Sequence, residues 1–84
     1  MYDDYLTFRS LTSAQRALAA CRTQGIRAEL VRAPKDLSAQ GCGYALRMDG
    51  PDLDRAILEL RLWGIPFERG YRMRPGGRVE EVLV

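Results

Sequence analysis

An internal repeat restricts the fold of this chain more strongly than any other feature of its sequence. Shifted by 39 positions, residues 5–29 align without gaps on residues 44–68, and seven of the 25 pairs are identical, where average residue usage predicts roughly two. The identical pairs are Tyr5/Tyr44, Arg16/Arg55, Ala17/Ala56, Arg22/Arg61, Gly25/Gly64, Ile26/Ile65 and Glu29/Glu68. The two halves are therefore predicted to form the same supersecondary unit.

The first copy of the unit is predicted to be a strand, a helix and a second strand. The segment 5–8 is short and β-prone, and either Ser10 or Thr12 can cap the helix that follows. Gly25 supplies a left-handed helix end, and residues 26–31 alternate as a strand. The apolar stripe with helical spacing consists of Ala14, Ala17, Leu18 and Cys21.

The second copy repeats this order. Residues 44–48 are predicted as a strand, Asp49 and Pro51 open the helix, Gly64 ends it, and residues 67–73 form the last strand. The predicted buried face of this helix comprises Leu53, Ala56, Ile57 and Leu60, and whether Trp63 extends it is left open.

Two such units predict an α+β, ferredoxin-like βαββαβ sandwich with two helices on one face of a four-stranded antiparallel sheet. The repeat aligns Phe8 with Arg47, which would point the guanidinium into the core. A one-residue shift of the third strand, with Tyr44, Leu46 and Met48 inward, is favoured over a bulge. The reason is that an unpaired buried guanidinium costs several kcal/mol.

Residues 1–74 are predicted as the single domain and residues 75–84 as a C-terminal tail. Pro75, Gly76 and Gly77 mark a break before the tail. The apolar segment Val82–Val84 can add an edge strand, pair with a second copy in a homodimer, or fray, and the sequence leaves these alternatives open.

The composition excludes several classes of function. The 84 residues carry a formal net charge of only +2, with both signs interspersed, so no nucleic-acid partner is expected. The sequence contains no histidine, which excludes histidine-based catalysis and common zinc sites, and neither a metal nor a cofactor is expected. Without a long apolar run or a signal-like start, the protein is expected to be cytoplasmic and to have no membrane partner.

Cys42 is the candidate reactive residue. It lies near the end of residues 32–43, the longest connection between predicted elements, and such connections often carry function. The flanking Gly41 and Gly43 leave the thiol without side-chain cover. The cations that can favour its thiolate are Arg32, Lys35 and Arg47. A tight turn in which Cys42 is only a small apolar residue remains an alternative, whereas Cys21 is predicted to be a buried core residue.

Several segments of this sequence resemble the corresponding segments of a family of small bacterial selenium or sulfur carrier-like proteins. The resemblance spans roughly residues 5–73 and is carried by residues 5–8, Gly25-Ile26, Pro34 and, most specifically, Cys42-Gly43-Tyr-Ala-Leu-Arg47. Ala20 and Cys21 depart from the charged and aliphatic residues that relatives often have. The resemblance implies that Cys42 holds sulfur or selenium as a persulfide or selenosulfide.

Two functions are therefore carried forward. In the first, the protein is a carrier rather than a turnover enzyme, and its partners are a cysteine desulfurase-type donor and a thiol acceptor enzyme. In the second, it is a small regulatory or ligand-binding module without cysteine chemistry.

Overall fold

The computed structural model describes residues 3–33, 43–73, 76 and 79–82. The helices and strands, in chain order, are β1 (Asp3–Phe8), α1 (Leu11–Thr23), β2 (Ala28–Arg32), β3 (Tyr44–Asp49), α2 (Gly50–Trp63), β4 (Gly70–Met73) and β5 (Val79–Val82). The first six elements occur in the predicted order, strand-helix-strand twice.

The strands form one antiparallel sheet in the order β2-β3-β1-β4-β5. The prediction of four strands was wrong, because residues 79–82 of the predicted tail pair with β4 from Met73↔Val79 to Gly70↔Val82. Without β5, the backbone groups on one side of β4 would have no strand to bond. The half-buried Val82 packs against the core, so the fifth strand also covers apolar surface.

The repeat reappears as two identical helix ends. Gly25 and Gly64 have φ of 73° and 67°, the left-handed region in which glycine avoids the steric penalty of a Cβ atom. The next residue donates its N–H to the carbonyl five positions back, Ile26 to Cys21 and Ile65 to Leu60, both at 2.9 Å. All four of these side chains are buried in one cluster, which explains why the repeat keeps a Gly-Ile pair in each half.

The helix starts differ between the two halves. The Ser10 side chain accepts a hydrogen bond from the Ser13 N–H at 3.1 Å, so Ser10 rather than Thr12 is the N-cap of α1. In α2, Asp49 occupies the cap position and Pro51 lies in the first turn, as predicted.

The main core lies between the two helices and one face of the sheet. Its strand residues are Leu6 and Phe8 of β1 and Leu46 and Met48 of β3, and the half-buried Tyr44 packs against them. This confirms the one-residue shift of β3. Arg47 consequently lies on the opposite face, where it forms an ion pair with Glu29 of β2.

Trp63 does not extend the buried face of α2, which answers the question that the sequence left open. Leu53, Ala56, Ile57 and Leu60 are buried there, whereas Trp63 is 60% exposed. Its indole N–H donates to the carboxylate of Glu59 at 2.9 Å, one helical turn earlier. That bond satisfies the polar atom of the ring at the surface, so the side chain has no need of a partner in the core.

The last predicted strand begins three residues later than expected because of a β-bulge opposite Thr7. The Thr7 N–H donates to the Arg69 carbonyl at 2.9 Å, while the Thr7 carbonyl accepts from the Glu68 N–H at 2.7 Å. Two residues thus oppose one. The Arg69 N–H is satisfied by the Thr7 hydroxyl at 3.2 Å, so the irregularity leaves this donor bonded.

A buried ion pair joins β1 to β4 on the helix side of the sheet. Asp4 is fully buried, and the Arg72 Nε–H donates to its Oδ2 at 3.1 Å. The Arg72 side chain keeps 32% of its surface exposed. A buried carboxylate requires such a partner, and this pair was not predicted because Asp4 precedes the predicted strand.

Candidate functional site

The candidate site lies where β2 ends and β3 begins. The β2–β3 ladder is extended one step by a hydrogen bond from the Ala33 N–H to the Gly43 carbonyl at 3.2 Å. We call this end of the sheet the loop end, since residues 34–42 connect the two strands there. Of the predicted site residues, Arg32, Gly43 and Arg47 are described, while Cys42, Lys35 and Gly41 lie outside the described residues.

Arg32 is the predicted cation that the structure places at the loop end. It is opposite Tyr44 in the β2–β3 ladder, and its guanidinium carbon lies 5.9 Å from the centre of the tyrosine ring. That distance permits a cation–π contact, which orients the guanidinium while leaving its N–H groups available. Within the described ranges, Arg32 has no carboxylate partner.

Arg47 has a different environment. It lies four residues beyond Gly43 along β3, or about 13 Å at the usual rise of a strand. Its ion pair with Glu29 compensates its charge on the sheet face away from the helices. The structure therefore brings Arg32 and Gly43 together and separates Arg47 from them.

Arg9 is a further cation at the loop end that sequence reasoning missed. It follows β1 directly, at the end of that strand where Phe8 opposes Tyr44, and its side chain turns toward the β4 side of β1. Its Nε lies 3.5 Å from Glu68 of the bulge, and its side chain is 88% exposed. Only the pairing of two strands that are distant in sequence places Arg9 here, so no local pattern could have found it.

A cavity of about 680 Å³ adjoins this region, between the start of α1, the bulge and β5. It is lined by Arg9, Ser13, Pro66, Phe67, Glu68, Arg69, Glu81 and Val82. Its volume is within the range of small-molecule sites, although both of its arginines already pair with glutamates, Arg9 with Glu68 and Arg69 with Glu81. The ligand-binding alternative therefore stays a prediction.

Cys21, the other cysteine, is confirmed as a core residue. It has a free thiol that is fully buried in the stripe of α1. Burial raises the pKa of this thiol from 9.0 to about 11, and the negative charges of Glu59 and Asp52 add to the increase. At neutral pH the side chain is the uncharged thiol and not the nucleophilic thiolate.

The raised pKa of Cys21 predicts a loss of stability in alkali. The Cys21 thiol ionises at a lower pH in the unfolded chain than in the native protein. The free energy of unfolding is therefore unaffected by this thiol below the unfolded pKa and decreases as pH rises from about 9 toward 11. Thermal unfolding followed between these pH values should show a steeper decline of the melting temperature for the wild type than for Cys21→Ala. Equal slopes of melting temperature against pH for the two proteins would contradict the raised pKa of Cys21.

The described residues contain no group of three or more histidine, cysteine, aspartate or glutamate side chains placed to hold a metal ion. None of the helices in this part of the chain is both long enough and apolar enough to cross a membrane.

Fold and site define a small α+β protein with two helices on one face of a five-stranded antiparallel sheet and a long connection at one end of that sheet. The family model described as "Putative Se/S carrier protein-like" matches residues 3–72, which include all six predicted site residues. The chain belongs to this family, and the resemblance noted in its sequence is confirmed. No curated protein and no solved structure matches the chain.

Proposed function

We propose that this protein carries sulfur or selenium on Cys42, as a persulfide or a selenosulfide, from a donor enzyme to an acceptor enzyme. The observation that carries the proposal is the family match, whose residues 3–72 include Cys42. The position of Arg32, beside the strand that Cys42 precedes, supports it. The deep burial of Cys21 supports it too, since it leaves Cys42 as the cysteine suited to exchange.

Loading is a thiol exchange that needs no external oxidant. The Cys42 thiolate attacks the outer sulfur of a donor persulfide, R–S–SH, and a new S–S bond forms to the Cys42 sulfur. The donor S–S bond breaks, and its electron pair leaves on the inner sulfur as the thiolate R–S⁻. With selenium in place of the outer sulfur, the same exchange yields the selenosulfide.

Delivery reverses these roles. An acceptor thiolate attacks the outer sulfur of Cys42–S–SH, and Cys42 leaves as the thiolate. A thiol of lowered pKa is the better leaving group, so a guanidinium near Cys42 favours release as well as loading. Because the sequence contains no histidine, electrostatic stabilisation replaces a histidine base in this proposal.

Mass spectrometry after incubation with a cysteine desulfurase and cysteine tests the proposal. We expect the wild type to gain the mass of one or more sulfur atoms, located on the peptide that contains Cys42. Cys42→Ser should gain none, whereas Cys21→Ala should gain as much as the wild type. Glutathione persulfide serves as a second donor that requires no protein contact.

The carrier proposal is overturned if neither the desulfurase nor glutathione persulfide loads the wild-type protein. Loading that persists in Cys42→Ser and disappears in Cys21→Ala would overturn the assignment of the carrier residue.

A further inference from the structure

The exposed large apolar side chains are concentrated toward the loop end. Those of the described residues are Leu11, Leu58, Leu62 and Trp63, with exposures of 39%, 60%, 73% and 60%. We call these four residues the apolar cluster. Three of them lie in the second half of α2 and the fourth is the first residue of α1, and a large exposed apolar surface rimmed by polar residues is typical of a protein interaction site.

The topology explains why the members of the apolar cluster lie toward the same end. β1 reaches the loop end at Phe8, opposite Tyr44, and α1 begins there with Leu11. α2 starts at the other end, after Asp49, and its 14 residues extend about 21 Å back. The chain after α2 bonds to Thr7 near the loop end, so the second half of α2 lies toward it.

Two guanidinium groups accompany the apolar cluster. Arg32 lies at the loop end and Arg61 in the last turn of α2, and among the described residues neither has a carboxylate partner. The acidic side chains nearby are engaged, since Glu68 pairs with Arg9, Glu81 with Arg69, and Glu59 accepts from Trp63. Among the described residues of this region, the side chains named here that remain for a partner are therefore apolar or cationic.

We propose that this surface docks the sulfur-donor protein, through an apolar patch bordered by carboxylates on the donor. The inference rests on the proposed function, because a donor that reaches the residue before Gly43 must cover the loop end. The molecule measures 32 × 26 × 20 Å. A standard interface of about 800 Å² per partner therefore spans both the loop end and the second half of α2.

Trp63 provides the measurement, because it is the only tryptophan of the chain. A cysteine desulfurase whose own tryptophans have been replaced by phenylalanine is titrated into Cys42→Ser, which cannot exchange sulfur. Docking removes Trp63 from water, so a saturable blue shift of its emission is expected, and added salt should weaken binding.

Matched variants test the two parts of the surface. Leu62→Gln should weaken binding at least tenfold, whereas Ala19→Gln, the same new side chain at an exposed position of α1, should not. Arg32→Glu should slow association, whereas Arg27→Glu, an identical charge change before the other end of β2, should leave it unchanged. Loading by glutathione persulfide should be the same in Leu62→Gln and in the wild type.

The results separate this inference from the carrier proposal. If the desulfurase loads Leu62→Gln as fast as the wild type and Trp63 emission does not shift, the docking surface is wrong and the carrier proposal stands. If no donor loads Cys42, the carrier proposal is wrong, and the emission titration alone then decides whether the surface binds the desulfurase.

Discussion

Replacement of Leu46 by glutamine is expected to destabilise the fold by about 4 kcal/mol, whereas the same replacement of the adjacent Arg47 should cost less than about 1 kcal/mol. Leu46 is fully buried on the helix side of the sheet, and Arg47 lies on the other face in a solvent-exposed ion pair. Glutamine at position 46 loses the transfer free energy of leucine and buries an amide that lacks partners.

An 84-residue domain has a stability of only about 4 to 13 kcal/mol, so a loss of about 4 kcal/mol removes between roughly a third and all of it. Thermal unfolding followed by circular dichroism measures the effect, and a loss of about 4 kcal/mol should lower the melting temperature by more than about 15 °C. Equal destabilisation by Leu46→Gln and Arg47→Gln would mean that the assigned register of β3 is incorrect.

Replacement of Arg72 by methionine is expected to cost about 3 kcal/mol. The substitution keeps most of the aliphatic stem and removes the cation that lies 3.1 Å from the fully buried Asp4. Removal of one partner from a buried ion pair is strongly destabilising because the remaining charge then loses its counter-charge in a medium of low polarity. Urea denaturation gives the free energy of unfolding directly.

The double variant Asp4→Val, Arg72→Met distinguishes this explanation from a general loss of packing. With both charges removed, the free energy of unfolding should return to within about 1 kcal/mol of the wild type, because apolar pairs of similar volume often replace buried ion pairs without loss. Arg47→Met serves as the control, since it breaks an exposed ion pair of the same sheet. A double variant no more stable than Arg72→Met would refute the role assigned to the pair.

Much of the fold could be predicted because the local signals agree with each other. Gly25 and Gly64 end their helices in the left-handed conformation, and the apolar stripes of α1 and α2 face the sheet. The free-energy cost of burying an unpaired guanidinium was sufficient to predict that Leu46, and not Arg47, is buried. The family predicted from the residues around Cys42 and Gly43 is also confirmed.

Other features could not be predicted because they depend on strands that are distant in sequence. The sequence left open whether the end of the chain adds an edge strand, and pairing with the backbone of β4 decides it for residues 79–82. The register of β1 and β4 brings Arg72 beside the buried Asp4. At the candidate site, Arg9 and Gly43 are 34 positions apart, and antiparallel pairing brings them to the same end of the sheet.

The amino-acid sequence by itself thus determined the two helices, the first four strands and the face of β3 that is buried, since helix ends and burial depend on local conformation and on the cost of desolvating a side chain. The tertiary structure alone decided the fifth strand, the Asp4–Arg72 pair and the gathering of exposed apolar side chains toward the loop end. These depend on hydrogen bonds and charges contributed by distant segments, whose register is settled only when the sheet forms.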